Sequence, residues 1–229
     1  MALKRFLTIE PICAHLQLKL NGQWNLKQNK PNKKFVYLIS PNKIKDELFY
    51  TNLILALSSG KVSFFQLRLK KETSSNKLII GKKIKKICKK YKVKFLINDD
   101  PLLAKKLDAD GCHLGQKDMD ILKARKILKN KIIGVTCHNS INLAKRASKN
   151  GADYLAFGAF YTTKTKKIKH YADIRILNWS KKNIKIPVIA IGGITNKNYL
   201  NLLDNGAKLI AVSSFIWKNK NVLNAIRSF

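Results

Sequence analysis

Acidic residues are the scarce component of this sequence: 13 Asp and Glu stand against 46 Lys and Arg, a formal net charge of +33. Such a balance favours anionic partners by long-range attraction whatever the fold. Cysteine is also sparse. Cys13, Cys88, Cys112 and Cys137 form no Cys-x-x-Cys pair, which argues against a zinc site or a disulfide framework and leaves reduced, mostly buried thiols as the expectation. No run approaches the ~18 consecutive apolar residues that a membrane span requires. The start, MALKRFLTIEP, lacks the long apolar centre and cleavage site of a signal peptide, so a cytoplasmic protein without a membrane partner is expected. Arginines, the better readers of bases, are thin: Arg5, Arg68, Arg125, Arg146, Arg175 and Arg227. No aromatic-studded basic stripe accompanies the lysines, so no specific nucleic-acid partner is expected and the coat reads as a solvated surface.

What is present is enough apolar material, 45% of 229 residues, for one large α/β domain or two small ones. Residues 1–34 show no strand pattern and end in KQNKPNKK; they form an N-terminal extension of unknown role. From Phe35 onward, eight short apolar runs alternate with amphipathic stretches: FVYLIS (35–40), SFFQLRL (63–69), FLIN (95–98), GCHLG (111–115), IIGVTC (132–137), YLAFGAF (154–160), VIAIGG (188–193) and LIAVSS (209–214). Continuous apolarity suits strands buried on both faces of a parallel sheet. Between them, Ile80, Ile84, Ile87 and Tyr91 recur at helical spacing over 78–91, and Asn150-Gly151 and Asn205-Gly206 mark helix ends. Eight such units over residues 35–229 predict a single-domain (β/α)8 TIM barrel. An open doubly wound sheet is the alternative, weakened by the absence of a Gly-x-Gly-x-x-Gly turn after any strand.

A barrel of this kind carries chemistry at the C-terminal ends of its strands. Unusual polar residues collect there. Gln66, Arg68 and Lys70, spaced by two, point to one side of the second strand, and two cations facing inward imply an anion. Asn98 and Asp99 end the third strand, Gln116 and Asp118 follow the fourth, and Thr136 and His138 end the fifth. Thr163, Thr165 and Lys166 follow the sixth, Gly192-Gly193 the seventh and Ser213-Ser214 the eighth, where barrels commonly bind phosphate. Asp99 and Asp118, on neighbouring strand ends beside these cations, are either salt-bridge partners or ligands of Mg2+, which one or two carboxylates hold together with substrate phosphates. Asp100 points away or caps the next helix.

These stretches resemble the thiamine-phosphate synthase family, which includes the related thiazole tautomerases. FQLRLK (65–70), LINDD (96–100), DGCHLGQKDM (110–119), IIGVTCH (132–138), TTKTK (162–166), VIAIGGI (188–194) and AVSSFI (211–216) carry the resemblance in the family's order. It implies a transferase that joins hydroxymethylpyrimidine diphosphate to thiazole phosphate in thiamine biosynthesis. The diphosphate leaves first, and the thiazole nitrogen captures the pyrimidine cation. By position, Gln66, Arg68, Lys70, Asn98, Thr136 and Lys166 match groups around the pyrimidine diphosphate, with Arg68, Lys70 and Lys166 catalytic. Asp99 and Asp118 match the Mg2+ ligands, and Thr163, Thr165, Gly193, Ser213 and Ser214 surround the thiazole phosphate. The chain departs from the family at Thr136, usually serine, at Thr162, usually proline, and at Ser213, usually apolar. His113 and His138 are expected to be hydrogen-bonded packing residues. A tautomerase-like or divergent relative and a basic nucleic-acid-associated protein stand as alternatives.

Overall fold

The computed structural model describes residues 34–162 and 170–229. The strands are β1 (Val36–Ile39), β2 (Val62–Leu67), β3 (Lys94–Asn98), β4 (Gly111–Leu114), β5 (Ile132–His138), β6 (Tyr154–Gly158), β7 (Val188–Ile191) and β8 (Leu209–Val212). Between them run α1 (Glu47–Ser58), α2 (Ser74–Lys90), α3 (Pro101–Lys106), α4 (Ile121–Leu128), α5 (Ile141–Lys149), α6 (Arg175–Asn183) and α7 (Tyr199–Asp204); α8 (Ser214–Trp217) and α9 (Val222–Arg227) follow β8. Every strand pairs in parallel with its sequence neighbour and β1 closes on β8, so the sheet is a closed barrel. The (β/α)8 expectation holds, and the doubly wound alternative does not, because β1 and β8 leave no open edge. Of the 1–34 extension, only Lys34 is among the described residues.

The period-2 alternation of each strand divides its side chains between two cores. Tyr37, Ile39, Leu96, Ile132, Tyr154, Ile189 and Leu209 pack inside the barrel, while Val36, Leu38, Val62, Phe65, Ile97 and Ile133 pack outward with the helices. The interior is crowded, and small residues make room for large ones. A β-carbon on Gly134 would lie 1.8 Å from the Tyr154 ring, and Gly134 and Tyr154 are register partners across β5 and β6.

Scarce acids hold the barrel's base. Asp110, just before β4, accepts from the Phe95 amide at 2.9 Å and from Lys94 Nζ at 2.9 Å. Asp153, just before β6, accepts from the Ile133 amide at 2.8 Å and from Arg125 at 2.6 Å. Helix ends follow their local chemistry. Predicted at 78–91, α2 in fact begins at Ser74, because Thr73 accepts from the Asn76 amide at 3.2 Å. Its polar first turn carries no apolar periodicity to betray it. Gly151 and Gly206, at φ +89° and +117°, follow α5 and α7 as expected. Cys88, Cys112 and Cys137 are buried free thiols; Cys13 lies outside the described residues. Among the described residues no helix is long and apolar enough to cross a membrane.

Candidate active site

At the C-terminal rim, β2 delivers Gln66, 2% exposed, into the barrel and carries Arg68 and Lys70 just beyond its end. The intervening Leu67 and Leu69 are buried in the outer core, which fixes the other three on the opposite side. Arg68 is held from β1's loop: its amide donates to Ser40 Oγ at 2.9 Å and its guanidinium to Asn42 Oδ1 at 2.6 Å. Burial lowers its pKa and the nearby Asp99 carboxylate opposes that shift. Lys70 Nζ lies 2.9 Å from Asp99 Oδ2.

Asp99 sits at φ +66°, a left-handed conformation uncommon for a residue with a side chain, and its amide donates to the His113 carbonyl at 2.8 Å. This turn at the end of β3 aims its carboxylate along the rim. Asp118 reaches the same place from the loop after β4. The Gly115 amide donates to Asp118 Oδ2 at 2.6 Å, and a β-carbon on Gly115 would crowd that oxygen at 2.9 Å. The two carboxyl groups are close enough to perturb each other's ionisation. Burial works to raise Asp99, but hydrogen bonds from Lys70 and Asp118 outweigh it and hold its pKa below the ordinary value. Burial and the adjacent Asp99 push Asp118 up, against the Gly115 amide. Like charges this close resist joint ionisation, which makes Asp99 the stronger acid of the two. Asp100 is the N-cap of α3, accepting from the Leu103 amide at 2.9 Å.

Such a pair of hard oxygen donors is short of positive charge. Among the described residues no group of three or more His, Cys, Asp or Glu is assembled around one point. Asp99 and Asp118 offer two carboxylates, and Mg2+ is a cation that takes one or two such ligands and completes its shell with water and phosphate.

Inside the barrel, below the rim, runs a set of buried polar side chains. Tyr37 Oη donates to Gln66 Oε1 at 2.8 Å and lies 2.8 Å from Tyr154 Oη. Gln66 Nε2 donates to Asn98 Oδ1. His113 bridges Tyr154 Oη through Nδ1 and Thr136 Oγ1 through Nε2, each at 2.8 Å. Burial drives the His113 pKa down to about 4, against the pull of Asp99, and raises both tyrosines far above their ordinary value. His113 is thus a hydrogen-bonded interior residue, as expected, and it touches Thr136 directly. Sequence reasoning missed Tyr37 and Tyr154; the available signal was a hydroxyl placed in an otherwise apolar strand.

On the β6–β8 side, Gly192 and Gly193 have φ +101° and +64°. A β-carbon on Gly193 would strike the Thr162 carbonyl at 2.4 Å, and one on Gly192 would strike Ala159 at 2.3 Å. The Tyr161 amide donates to the Gly192 carbonyl at 3.1 Å. These glycines seat the loop after β6, a packing role that reasoning from backbone approach to a ligand did not foresee. That loop leads into Thr163, Thr165 and Lys166, which lie outside the described residues. Ser213 follows β8, with Oγ donating to the Ser40 carbonyl at 3.3 Å, and Ser214 opens α8.

Comparison with known proteins agrees with this architecture. The thiamine monophosphate synthase family matches residues 36–216. A thiamine-phosphate synthase from Pelagibacter ubique is 71% identical over 204 residues, 88% of this chain and 99% of the relative. One from Nitrosomonas eutropha is 41% identical over 172 residues, 75% and 81% of the two chains. The solved thiamine phosphate pyrophosphorylase from Pyrococcus furiosus superposes with a TM-score of 0.77 at 32% identity, covering 87% of this chain and 95% of that one. With matching motifs, a matching barrel and a family match over most of its length, this chain belongs to the thiamine monophosphate synthase family.

Proposed function

We propose that the chain is a thiamine-phosphate synthase, joining hydroxymethylpyrimidine diphosphate to thiazole phosphate with release of pyrophosphate. The observation that carries this reading, beside family membership, is the meeting of Asp99 and Asp118 with Lys70 at one rim, next to Arg68. In the reaction the bond between the pyrimidine methylene carbon and the diphosphate oxygen breaks, and its electron pair leaves with pyrophosphate. The thiazole nitrogen's lone pair then forms the new carbon–nitrogen bond. Negative charge grows on the leaving group, so fixed cations in a water-poor site lower the barrier. Arg68, Lys70 and Lys166 take that role, and Gln66, Asn98 and Thr136 hold the pyrimidine end. Thr163, Thr165, Gly193, Ser213 and Ser214 receive the thiazole phosphate. Asp99 and Asp118 would hold Mg2+, which supplies further charge neutralisation to the diphosphate when bound. Retention of both acids favours the synthase over a tautomerase, which has no diphosphate to ionise. We place the reaction in the cytoplasm, with small molecules rather than nucleic acid or membrane as partners.

Purified chain supplied with Mg2+ and both substrates is expected to release pyrophosphate and form thiamine phosphate. Asp99→Ala and Lys166→Ala are expected to slow release by orders of magnitude while leaving the circular dichroism spectrum intact. A folded wild-type protein without turnover removes the synthase reading.

A further inference from the structure

The buried polar side chains below the rim form one unbranched line from β5 to β3: Thr136, His113, Tyr154, Tyr37, Gln66 and Asn98. Each tyrosine hydroxyl has one proton, and a neutral imidazole has one N–H. Orientation at any link therefore fixes every other. Tyr37 spends its proton on Gln66 Oε1, so its oxygen accepts from Tyr154. Tyr154 has then no proton for His113, so His113 Nδ1 carries the hydrogen and donates. His113 Nε2 is left bare and accepts from the Thr136 hydroxyl. At the other end, Gln66 Nε2 occupies Asn98 Oδ1, which leaves the Asn98 amide N–H groups as the free end of the line.

The reverse orientation would satisfy the same partners, with both amides turned over and His113 protonated on Nε2. The placement of the Gln66 amide selects the first, with Oε1 toward Tyr37 and Nε2 toward Asn98. The rim beside Asn98 also receives an anion on the reading given above, on which the substrate part of this inference rests, and an anion prefers N–H to a carbonyl oxygen.

We propose that this line is polarised in one direction, so that Thr136 Oγ1 meets the ligand only as an acceptor and Asn98 Nδ2 only as a donor. Tyr37, Tyr154 and His113 are then positioning residues: they touch no reacting atom, yet they set which hydrogen-bond pattern the pocket accepts. Thr136 and Asn98 lie on β5 and β3, two strand spacings or ~9–10 Å apart at the backbone, a gap that one heterocycle with its two hydrogen bonds fills. The ring must offer an N–H to the first and a bare nitrogen to the second. An aminopyrimidine does so through its amino group and a ring nitrogen, whereas its oxo counterpart brings a carbonyl to Thr136, where a donor is required.

The test is the imidazole tautomer in the full-length, ligand-free chain labelled with 15N-histidine. Long-range proton–nitrogen correlation is expected to show one imidazole protonated at Nδ1 and bare at Nε2, assigned to His113 by its response to Thr136→Val. Thr136→Ser should keep the tautomer, since it keeps the hydroxyl. Tyr37→Phe breaks the line; an Nε2–H population should appear, and KM for the pyrimidine diphosphate should rise roughly tenfold or more with KM for thiazole phosphate unchanged. Discrimination against the oxo analogue in kcat/KM is expected on the order of 100-fold or more, as for a site built around a specific hydrogen bond. Nε2–H as the wild-type tautomer overturns the proposal, even in an active enzyme. Nδ1–H in a chain without synthase turnover upholds the polarity and removes only the functional reading.

Discussion

Replacing Gly134 by alanine sets two physical effects of opposite sign against each other. Gly134 lies within β5 and is not among the positive-φ glycines, so its backbone conformation is one alanine adopts freely. On backbone entropy alone Gly134→Ala would stabilise the protein by roughly 0.5–1 kcal/mol. The added β-carbon, however, would fall 1.8 Å from Cζ of Tyr154 and 2.2 Å and 2.3 Å from its two Cε atoms. The ring has little freedom to retreat. Its hydroxyl is tethered at 2.8 Å to both Tyr37 and His113, and the ring stacks on His113 with centroids 5.6 Å apart. Overpacking of this kind costs about 1–3 kcal/mol. Displacing the ring also breaks two buried hydrogen bonds worth about 1 kcal/mol each. After the backbone gain is subtracted, a net loss of about 2–4 kcal/mol remains. Urea unfolding, followed by fluorescence and read as a midpoint shift at constant slope, measures it. The double variant Gly134→Ala/Tyr154→Leu should unfold less easily than the sum of the two single losses predicts, because the leucine vacates the contested space. A Gly134→Ala protein as stable as wild type, or more so, refutes the packing argument.

Three further outcomes are expected. His113 is buried neutral with a pKa of about 4 against an ordinary 6.5. Between those values the unfolded histidine holds a proton that the folded one lacks, so its contribution to stability is complete above about pH 6.5 and falls as pH drops toward 4. The loss is up to about 3 kcal/mol; urea midpoints measured from pH 7 to 4.5 should show it, and a pH-independent midpoint contradicts it. Arg125 donates to Asp153 and to the carbonyls of Lys129, Lys131 and Gly151, each at 2.6 Å. A lysine cannot reproduce that fork, so Arg125→Lys should destabilise by about 2 kcal/mol in the same assay, and a change under about 0.5 kcal/mol counts against it. Burial raises the pKa of Cys88, Cys112 and Cys137, so peptide mapping after alkylation of native protein should find these three unmodified until denaturant is added.

Most of the barrel is legible in the sequence because a strand buried on both faces must be apolar throughout, and each of the eight apolar runs overlaps an observed strand. The rim was legible for a related reason. Polar residues such as Arg68 and Lys70 stand out where a buried run stops, and their spacing by two sets their side. What stayed hidden depends on register across strands. Nothing local says that Tyr154 lies opposite Gly134, or that His113 falls between Asn98 and the β5 glycine. Without those pairings Tyr37, Tyr154 and His113 are three separate packing residues rather than one hydrogen-bonded line. The role of Gly192-Gly193 was hidden likewise, since the loop that crowds them arrives from another strand.

The few carboxylates in this lysine-rich chain also sort themselves by what faces them. Asp46, Asp100 and Asp120 cap α1, α3 and α4, accepting from free backbone amides. Asp108 pairs with Lys85 and Lys131, Asp110 with Lys94 and Asp153 with Arg125, as expected when cations are plentiful. Asp99 and Asp118 break that pattern. With so many cations in the sequence, two acids placed against each other, one with its pKa pushed up by the other and one on a left-handed backbone, form an arrangement that stability alone would not favour. Lys70 relieves it only partly, since it binds Asp99 from a largely exposed position. Local disfavour at the functional rim of an otherwise well-satisfied barrel is the pattern expected where a site is shaped for a bound partner rather than for the empty fold. On the proposed reading, these two carboxyls are the ligands offered to Mg2+.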